Sequence, residues 1–363
     1  MPSQRSSSEV TEAPARPGPI GRLPPLARYI LIRFGISILL VFGVTLITFT
    51  LTNLVPADPV QSALGERASA DPAIVAAFRK AQGLDKPVVV QYFVYLDHLV
   101  HGNLGNSNQT HNPVSQDLGV AFPATAELAL FVIVLSIIIG IGLGTIAALR
   151  QNRLSDQIIR ILSLVGISIP TFWLALAMFF VFFSILHVAP GTGRLDPATL
   201  PPPTVTGMYT VDSLLAGQWV TFGDALAHLV LPGTVLTLYT VGLLVRFSRS
   251  AILDVLGQEY ILAARAKGLP SRAVVFRYAL RAASLPILTI VGLAFGSLLS
   301  GTVLTEQVFG WGGIGQYAYK SATTLDLPAV MGVGLIVGIV YIATNFLIDV
   351  IYGSIDPRVR VQG

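Results

Sequence analysis

Six long stretches without a charged side chain place the strongest constraint on how this chain can fold. They occupy Phe34–Val55, Leu128–Leu149, Ile161–Val188, Ala225–Val245, Ala282–Thr305 and Leu327–Ile348. A helix needs ~20 apolar residues to span a hydrocarbon layer about 30 Å thick, and every stretch reaches that length. Lipid offers the backbone no hydrogen-bond partners, so the stretches must be helices, and their lack of alternation excludes barrel strands. The sequence therefore predicts an all-α membrane protein with six transmembrane helices.

The composition excludes several other classes of protein. Charged residues make up 12% of the chain, about half the share typical of soluble domains. The absence of cysteine excludes disulfides, thiolate metal sites and a cysteine nucleophile. The five histidines show no spacing typical of a metal site. A net charge of +4 does not indicate a nucleic-acid partner, because the basic residues follow the two sides of the membrane.

The distribution of Lys and Arg predicts the orientation. Of these 23 residues, 17 lie in the amino-terminal segment, the connections between spans two and three and between spans four and five, and the tail. The positive-inside rule makes this side cytoplasmic. Both termini are therefore predicted to be cytoplasmic, with 55–127, 188–225 and 306–326 facing outward. Residues 1–27 are predicted to be a disordered tail, followed by an uncleaved first span.

Two outer segments are too long to be simple turns. In 55–127, the stretches Ala73–Gln82 and Val88–Val100 have helical periodicity, and each ends near a glycine. This segment is predicted to be a partly helical cap on the outer face. The segment 188–225 is rich in Pro and Gly and is predicted to be irregular.

The spans contain residues that bend helices or let them pack closely. Prolines occur at Pro170, Pro232 and Pro286. Small residues recur on one face of spans two and five, at Gly140 and Gly144 and at Gly292, Gly296 and Ser300. Such faces allow helices to approach closely. The sequence favours packing within one subunit, and a seam with a second membrane subunit is the alternative.

The inner connection 246–282 is long and is predicted to contain two helical pieces. Glu259–Lys267 consists of good helix formers and ends at Gly268–Pro270, where glycine supplies a left-handed turn and proline blocks continuation. Ser271 is predicted to cap a second piece, Arg272–Ala283, which leads into span five. Such a stiff element can transmit force. The alternative is that its basic side chains meet anionic lipid headgroups.

These residues resemble the cytoplasmic coupling loop of ABC importer permeases, in the version found in dipeptide and oligopeptide permeases. Tyr260-Ile261, Ala264–Lys267 and Gly268-Leu269 match that version. The general form places Glu-Ala-Ala six residues before the glycine. Here Leu262–Ala264 occupies those positions, so the glutamate is absent there, and Glu259 is not its equivalent in register.

The resemblance extends over about Arg28–Arg360. The other matching segments are Leu54–Pro59, Gly83–Pro87, Gly102–Ser107, Pro123–Leu128, Gly166–Trp173, Glu306–Gly315, Asp349 and Asp356–Arg358. Ala57 stands where the family has glycine in the first of these segments. Each segment alone is a weak signal, but their order among six spans is specific.

The resemblance implies a permease fold with a coupling helix that docks on a separate ATPase. The implied coupling residues are Glu259, Tyr260, Ala263, Ala264, Arg265, Ala266, Lys267, Gly268 and Leu269. The implied partners are a second homologous permease, two cytoplasmic ATP-binding subunits and an extracytoplasmic solute-binding protein. The chain has no Gly-x-x-x-x-Gly-Lys-Ser/Thr phosphate loop. It is therefore expected to bind no cofactor, with ATP and Mg used by the partner subunits.

Polar residues in or beside the spans are candidates for the transport pathway. The candidates are Glu127, Ser297, Ser300, Glu306 and Asn345. The carboxylates could face the outer mouth, or they could be interfacial groups or helix-end partners, as could Asp349. The hydroxyl and amide groups could instead bond neighbouring helices.

The sequence predicts a three-part organisation. A tail, 1–27, precedes the first span with its outer cap, 28–127, and a five-helix core, 128–363, contains the coupling loop 250–282. The predicted function is ATP-driven import of dipeptides or short oligopeptides by a subunit that is not itself an enzyme. The alternatives are an ion-gradient-driven transporter or channel, a membrane scaffold or receptor, and an ABC importer for nickel, glutathione or haem.

Overall fold

The computed structural model describes residues 24–54, 71–81, 83 and 85–355, so residues 1–23 of the predicted tail and 55–70 of the predicted cap lie outside it. The first seven helices are α1 Pro25–Leu54, α2 Pro72–Ala81, α3 Val88–Val100, α4 Val114–Leu149, α5 Leu154–Ser168, α6 Thr171–Phe179 with its π-helical continuation Phe180–Ile185, and α7 Tyr209–Leu215. The next six are α8 Trp219–Leu256, α9 Glu259–Ala266, α10 (which joins Ser271–Ala273, the π-helical Val274–Ala279 and Leu280–Gly301), α11 Val303–Phe309, α12 Ile314–Thr323 and α13 Leu327–Ile355. The predicted all-α fold is confirmed.

Five of these helices, α1, α4, α8, α10 and α13, are long and apolar enough to cross a membrane. The third predicted span, Ile161–Val188, is not one straight helix, because α5 and α6 meet at 93°. Ile169 is extended at the break because the Pro170 ring disfavours a helical residue before it. Pro232 and Pro286 lie inside α8 and α10, which continue through them. The described residues therefore form six spans if the bent pair counts as one.

The glycine faces predicted from the sequence pack against other helices of the same chain. A methyl group added at any of four glycines would come within 2.8 Å of a neighbouring side chain, which is too close for real packing. The crowded pairs are Gly140 with Leu244, Gly144 with Ser248, Gly292 with Ile348 and Gly296 with Tyr341. These faces join α4 to α8 and α10 to α13, as the within-subunit interpretation predicts. The side chain of Ser300 lies outside the described residues.

The outer segments are more regular than predicted. α2 and α3 agree with the two predicted helices, and Gly83 and Gly102 follow them with φ of +67° and +74°. The prediction of an irregular 188–225 segment is wrong in part. It contains α7, and α8 already begins at Trp219.

Asp212 in α7 explains the order of this second outer segment. Its buried carboxylate accepts hydrogen bonds from the backbone N–H groups of Val205, Thr206 and Gly207 at 3.2, 2.8 and 2.9 Å. Burial alone raises the pKa of Asp212, but these hydrogen bonds outweigh it and hold the pKa below its ordinary value. One ionised side chain therefore ties the preceding turn to α7.

Replacing Asp212 with asparagine is expected to lower the free energy of unfolding by about 1–3 kcal/mol, because the amide cannot accept all of these hydrogen bonds. The wild-type contribution is present above the ordinary pKa of 3.8 and is lost as the pH falls through the lower folded-state pKa. Thermal unfolding followed by tryptophan fluorescence across acidic pH measures the difference. A difference between the two proteins that does not shrink toward low pH would contradict this assignment.

Candidate functional site

The connection between α8 and α10, predicted to be cytoplasmic, is shorter than the predicted 246–282 loop. α8 continues to Leu256 and α10 begins at Ser271, so much of the predicted loop is helix. α9 is the predicted coupling helix, and its bounds Glu259–Ala266 agree with the prediction to within a residue. The predicted cap by Ser271 is wrong. Pro270 occupies the cap position, and no side chain forms a capping hydrogen bond there.

A glycine turn ends α9 in the predicted way. Gly268 has φ +76°, and its N–H donates to Arg265 O at 2.9 Å. The Leu269 N–H donates to Ala264 O at 3.3 Å, which completes a Schellman motif. No atom lies within 4 Å of a methyl group placed on Gly268. The position therefore requires glycine for its backbone conformation and not for space.

α9 is held on one side and open on the other. It packs against α8 and the π-helical part of α10, and its buried residues are Ile261 and Ala264. The other predicted coupling residues are exposed, apart from a half-buried Leu269, and they are Glu259, Tyr260, Ala263, Arg265, Ala266, Lys267 and Gly268. In this structure Ala264 is buried and anchors the helix, so the exposed residues are the ones open to a partner.

Leu262 also belongs to this surface, although it is not among the coupling residues predicted from the sequence. Leu262 is 57% exposed and, by helical spacing, shares with Ala263 and Ala266 the face opposite the buried side of α9. Arg265 and Lys267 lie beside this face. An apolar centre with a charged rim is typical of a protein contact surface. Next to it, a cavity of about 340 Å³ is lined by Tyr260, Arg277, Tyr278, Arg281 and Ala282.

A buried ion pair supports the base from which α9 projects. Arg249 of α8 donates from Nε and Nη2 to the two carboxylate oxygens of Asp156 at 2.7 and 2.8 Å. Asp156 is fully buried at the start of α5 and also accepts the Asn152 N–H at 2.9 Å. The pair joins the α4–α5 turn to the helix that leads into α9. No local pattern in the sequence predicts this pair, because the two residues are 93 positions apart.

Glu127 is buried in α4, toward the end of this span that is predicted to face outward, and it holds the 188–225 segment in place. It accepts hydrogen bonds from Arg194 Nη2 and from the Thr210 N–H and Oγ1, each at 2.6 Å. The Arg194 guanidinium also lies 3.8 Å from the centre of the Tyr209 ring. Glu127 is therefore enclosed by protein and does not face an outer mouth in this structure.

Glu306, in α11, is a second buried carboxylate, and it contacts the turn that leads to α12. Its Oε1 accepts hydrogen bonds from Thr125 Oγ1 at 2.6 Å and Thr302 Oγ1 at 3.0 Å. Its Oε2 accepts the Gln316 N–H at 3.0 Å. Burial raises the pKa of Glu306 although these hydrogen bonds act in the opposite direction. A methyl group on Gly313 would lie 2.5 Å from Glu306 Oε2, so this turn requires glycine.

The predicted pathway residues therefore divide into two groups. Glu127 and Glu306 are helix-end partners, which was the alternative interpretation of these carboxylates. Ser297 on α10 is exposed and Asn345 on α13 is half-buried, and both donate to backbone carbonyls of their own helices. The side chain of Ser300 is not described. Ser297 and Asn345 thus keep their candidate role, while the two glutamates have a structural one.

The end of the α1–α13 pair that is predicted to be cytoplasmic contains another polar group. Asp349 lies 3.1 Å from Arg33 Nη1 and, with Asn345, lines a cavity of about 310 Å³. The described residues contain no group of three or more His, Asp or Glu that could hold a metal ion.

Comparison with known proteins identifies the family. Residues 140–361 match the family described as "Binding-protein-dependent transport system inner membrane component", and residues 26–133 match its N-terminal companion family. The chain belongs to this family of inner-membrane transport components and is a multi-pass membrane protein. The predicted resemblance to ABC importer permeases is thereby confirmed.

Two relatives match the chain along nearly its whole length. The "Probable D,D-dipeptide transport system permease protein DdpB" of Escherichia coli strain K12 is 45% identical over 90% of this chain and 95% of its own. The "Di/tripeptide transport system permease protein DppB" of Pseudomonas aeruginosa is 42% identical over 91% and 98%. A solved structure of the MetNI methionine ABC transporter aligns with a TM-score of 0.45 at 17% identity, covering 64% of this chain and 93% of that chain.

Proposed function

We propose that this chain is the permease subunit of an ATP-driven importer of dipeptides or short oligopeptides. The observation that carries the proposal is its near full-length similarity to permeases named for dipeptide and di/tripeptide transport. The apolar helices supply the membrane path. α9, which is buried on one side and exposed on the other, supplies a surface that a separate ATPase subunit can bind.

In this proposal, α9 is the point at which mechanical work enters the permease. Ile261 and Ala264 hold it on α8 and α10, and the face with Leu262 is left for an ATPase subunit. The Schellman turn and the Asp156–Arg249 pair keep the surroundings of α9 stiff. A displacement of α9 therefore passes to the long helices and is not absorbed by the loop. ATP hydrolysis can change access only if the ATPase contacts differ between the two states of the permease.

The proposed assembly contains a second homologous permease, two cytoplasmic ATP-binding subunits and an extracytoplasmic solute-binding protein. ATP and Mg²⁺ act on the ATP-binding subunits, because the sequence lacks a phosphate-binding loop. This chain is then not itself an enzyme. Its termini and α9 lie on the cytoplasmic side, in agreement with the distribution of Lys and Arg.

Replacing Leu262 with glutamate is expected to weaken ATPase-subunit binding on the order of 30-fold, because a charge in a desolvated contact costs at least about 2 kcal/mol. Uptake of labelled dipeptide by proteoliposomes should fall with it. The matched control, Leu200→Glu, changes an exposed leucine of the outer segment and should leave both unaffected. Full binding and full uptake in Leu262→Glu would refute the proposed contact.

The same proteoliposomes test the energy source and the substrate. Uptake with internal ATP and no ion gradient supports the importer, whereas uptake driven by a gradient without ATP supports a secondary transporter. Competition by unlabelled dipeptides, but not by nickel, glutathione or haem, supports a peptide substrate. Absence of any ATPase stimulation by dipeptide-loaded binding protein would argue for a scaffold or receptor.

A further inference from the structure

Helix α3 is tied to the first span by a buried aromatic contact. The hydroxyl of the buried Tyr92 lies 2.9 Å from Thr45 Oγ1 of α1. The Thr45 hydroxyl already donates to Phe42 O, so Tyr92 is the donor in this pair. The Tyr92 ring also packs against Phe42 and Phe49, with centroids 5.8 and 5.3 Å away. This single side chain therefore contacts two successive turns of α1.

The position of these contacts along α1 fixes the depth of α3. Arg33 forms an ion pair near the inner end of α1, and Asn53 is the only amide side chain of α1, near its outer end. The twenty residues from one to the other cover ~30 Å, which is the thickness of the hydrocarbon layer. Thr45 then lies ~12 Å and Phe49 ~6 Å below the outer boundary. The Thr45 and Phe49 contacts fall within the outer half of the membrane, and Phe42 lies near the bilayer centre, ~17 Å below the outer boundary.

The side chains of α3 divide into three faces, since each residue turns the helix by about 100°. The face that meets α1 contains Tyr92, Tyr95 and Leu99. A second face, about a quarter turn away, is an apolar stripe of Val89, Phe93, Leu96 and Val100. The face opposite this stripe contains Gln91 and His98. The stripe and His98 lie on opposite sides of α3. When α3 lies parallel to the membrane plane with the stripe toward the bilayer centre, His98 therefore faces water.

The apolar stripe is not covered by the described part of the chain. Val89, Phe93 and Val100 are 67%, 62% and 85% exposed. α3 has 13 residues, which is too short to cross the membrane. Charged side chains flank it, with Lys86 before its start and Asp97 in its last turn. These features are typical of a helix that lies in a membrane interface.

We propose that α3 is immersed in the outer leaflet, with its apolar stripe among the lipid acyl chains. α3 is one of the two helices of the outer cap predicted from the sequence, and the proposal places it in lipid. The stripe lies beside the membrane-spanning part of α1. In the most apolar window of α1, only 6% of the residues are buried in the protein, so the rest of this window is open to lipid. The same acyl chains that surround α1 therefore reach the stripe. The inference rests on the contacts with α1 and does not depend on the proposed transport function.

The test uses single-cysteine variants, which are unambiguous because the chain has no native cysteine. Phe93→Cys and His98→Cys are labelled with bimane in the full-length chain, reconstituted in phosphatidylethanolamine–phosphatidylglycerol vesicles. Nitroxide lipids should quench the label at position 93, and iodide present on both sides should quench the label at position 98. The ratio of lipid to aqueous quenching should differ severalfold between them. Val89→Cys provides a second label on the stripe if Phe93→Cys does not fold.

Two outcomes would overturn the inference. Equal iodide quenching at positions 93 and 98 would mean that the stripe faces water. Weak quenching at position 93 from both lipid and water would mean that protein covers the stripe, either a second copy of the chain or the partner permease. The same pattern must appear at position 89, since Val89 shares the stripe with Phe93.

Discussion

Replacing Gly268 with valine is expected to reduce ATP-driven dipeptide uptake at least about tenfold, while the chain still inserts into the membrane. Gly268 ends α9 at φ +76°, where a side chain costs about 1–2 kcal/mol and a branched one costs more. α9 would then end differently and present its open face to the ATPase subunit at another angle. Uptake and stimulated ATPase activity in proteoliposomes, with the amount of inserted chain as reference, measure the effect.

Asparagine at the same position is the matched control. Asparagine enters the left-handed region more readily than other side chains, and the space around Gly268 is open. Uptake should therefore decrease in the order glycine, asparagine, alanine, valine. Equal losses with asparagine and valine would indicate a direct contact at this position instead of a conformational requirement. Unchanged uptake with valine would refute the coupling role of α9.

Removing either partner of the Asp156–Arg249 pair is expected to lower the free energy of unfolding by about 3–5 kcal/mol, because the remaining charge is left unpaired. The larger loss is expected for Arg249→Ala. It strands a fully buried carboxylate, whereas the side chain of Arg249 is 18% exposed. Thermal unfolding in detergent, followed by intrinsic tryptophan fluorescence, measures the loss. Thiol-reactive dyes cannot report on this chain because it has no cysteine.

Two further variants separate the ion pair from a general effect of charge. Arg153→Ala removes an exposed arginine from the same α4–α5 turn and should change stability by less than about 0.5 kcal/mol. The double variant Asp156→Leu/Arg249→Met removes both charges. It should recover much of the stability that the single variants lose. A double variant no more stable than Arg249→Ala would show that the stranded charge is not the cause.

The parts of the fold that the sequence predicts well depend on local chemistry. The apolar spans follow from composition alone, and the end of α9 follows from a glycine that must be left-handed at position 268. The bend at Pro170 is likewise local, although its size of 93° is not. The fourth span is predicted to end at Val245, where the stretch without charged side chains ends, yet α8 continues to Leu256. Helix formation does not require apolar residues, so the criterion underestimates helices that leave the membrane.

The parts that the sequence does not predict depend on partners distant in the chain. Glu127 meets Thr210 across 83 residues, and Glu306 meets Thr125 across 181. No local pattern distinguishes such a carboxylate from one that lines a pathway. The same reason applies to Leu262, whose exposure becomes apparent only when the opposite side of α9 is seen to be buried.

The two buried glutamates also constrain how the molecule can move. Thr125 and Glu127 are close neighbours on α4, and through them 188–225 and 306–326, two of the three segments predicted to face outward, are joined to that one helix. We expect these two segments to move together with α4. We expect hinge motion where helical hydrogen bonding is broken or irregular. These places include Pro170 and the π-helical turn Val274–Ala279. We expect a conformational cycle in which the half predicted to be cytoplasmic pivots while α4 and the two segments joined to it keep their arrangement.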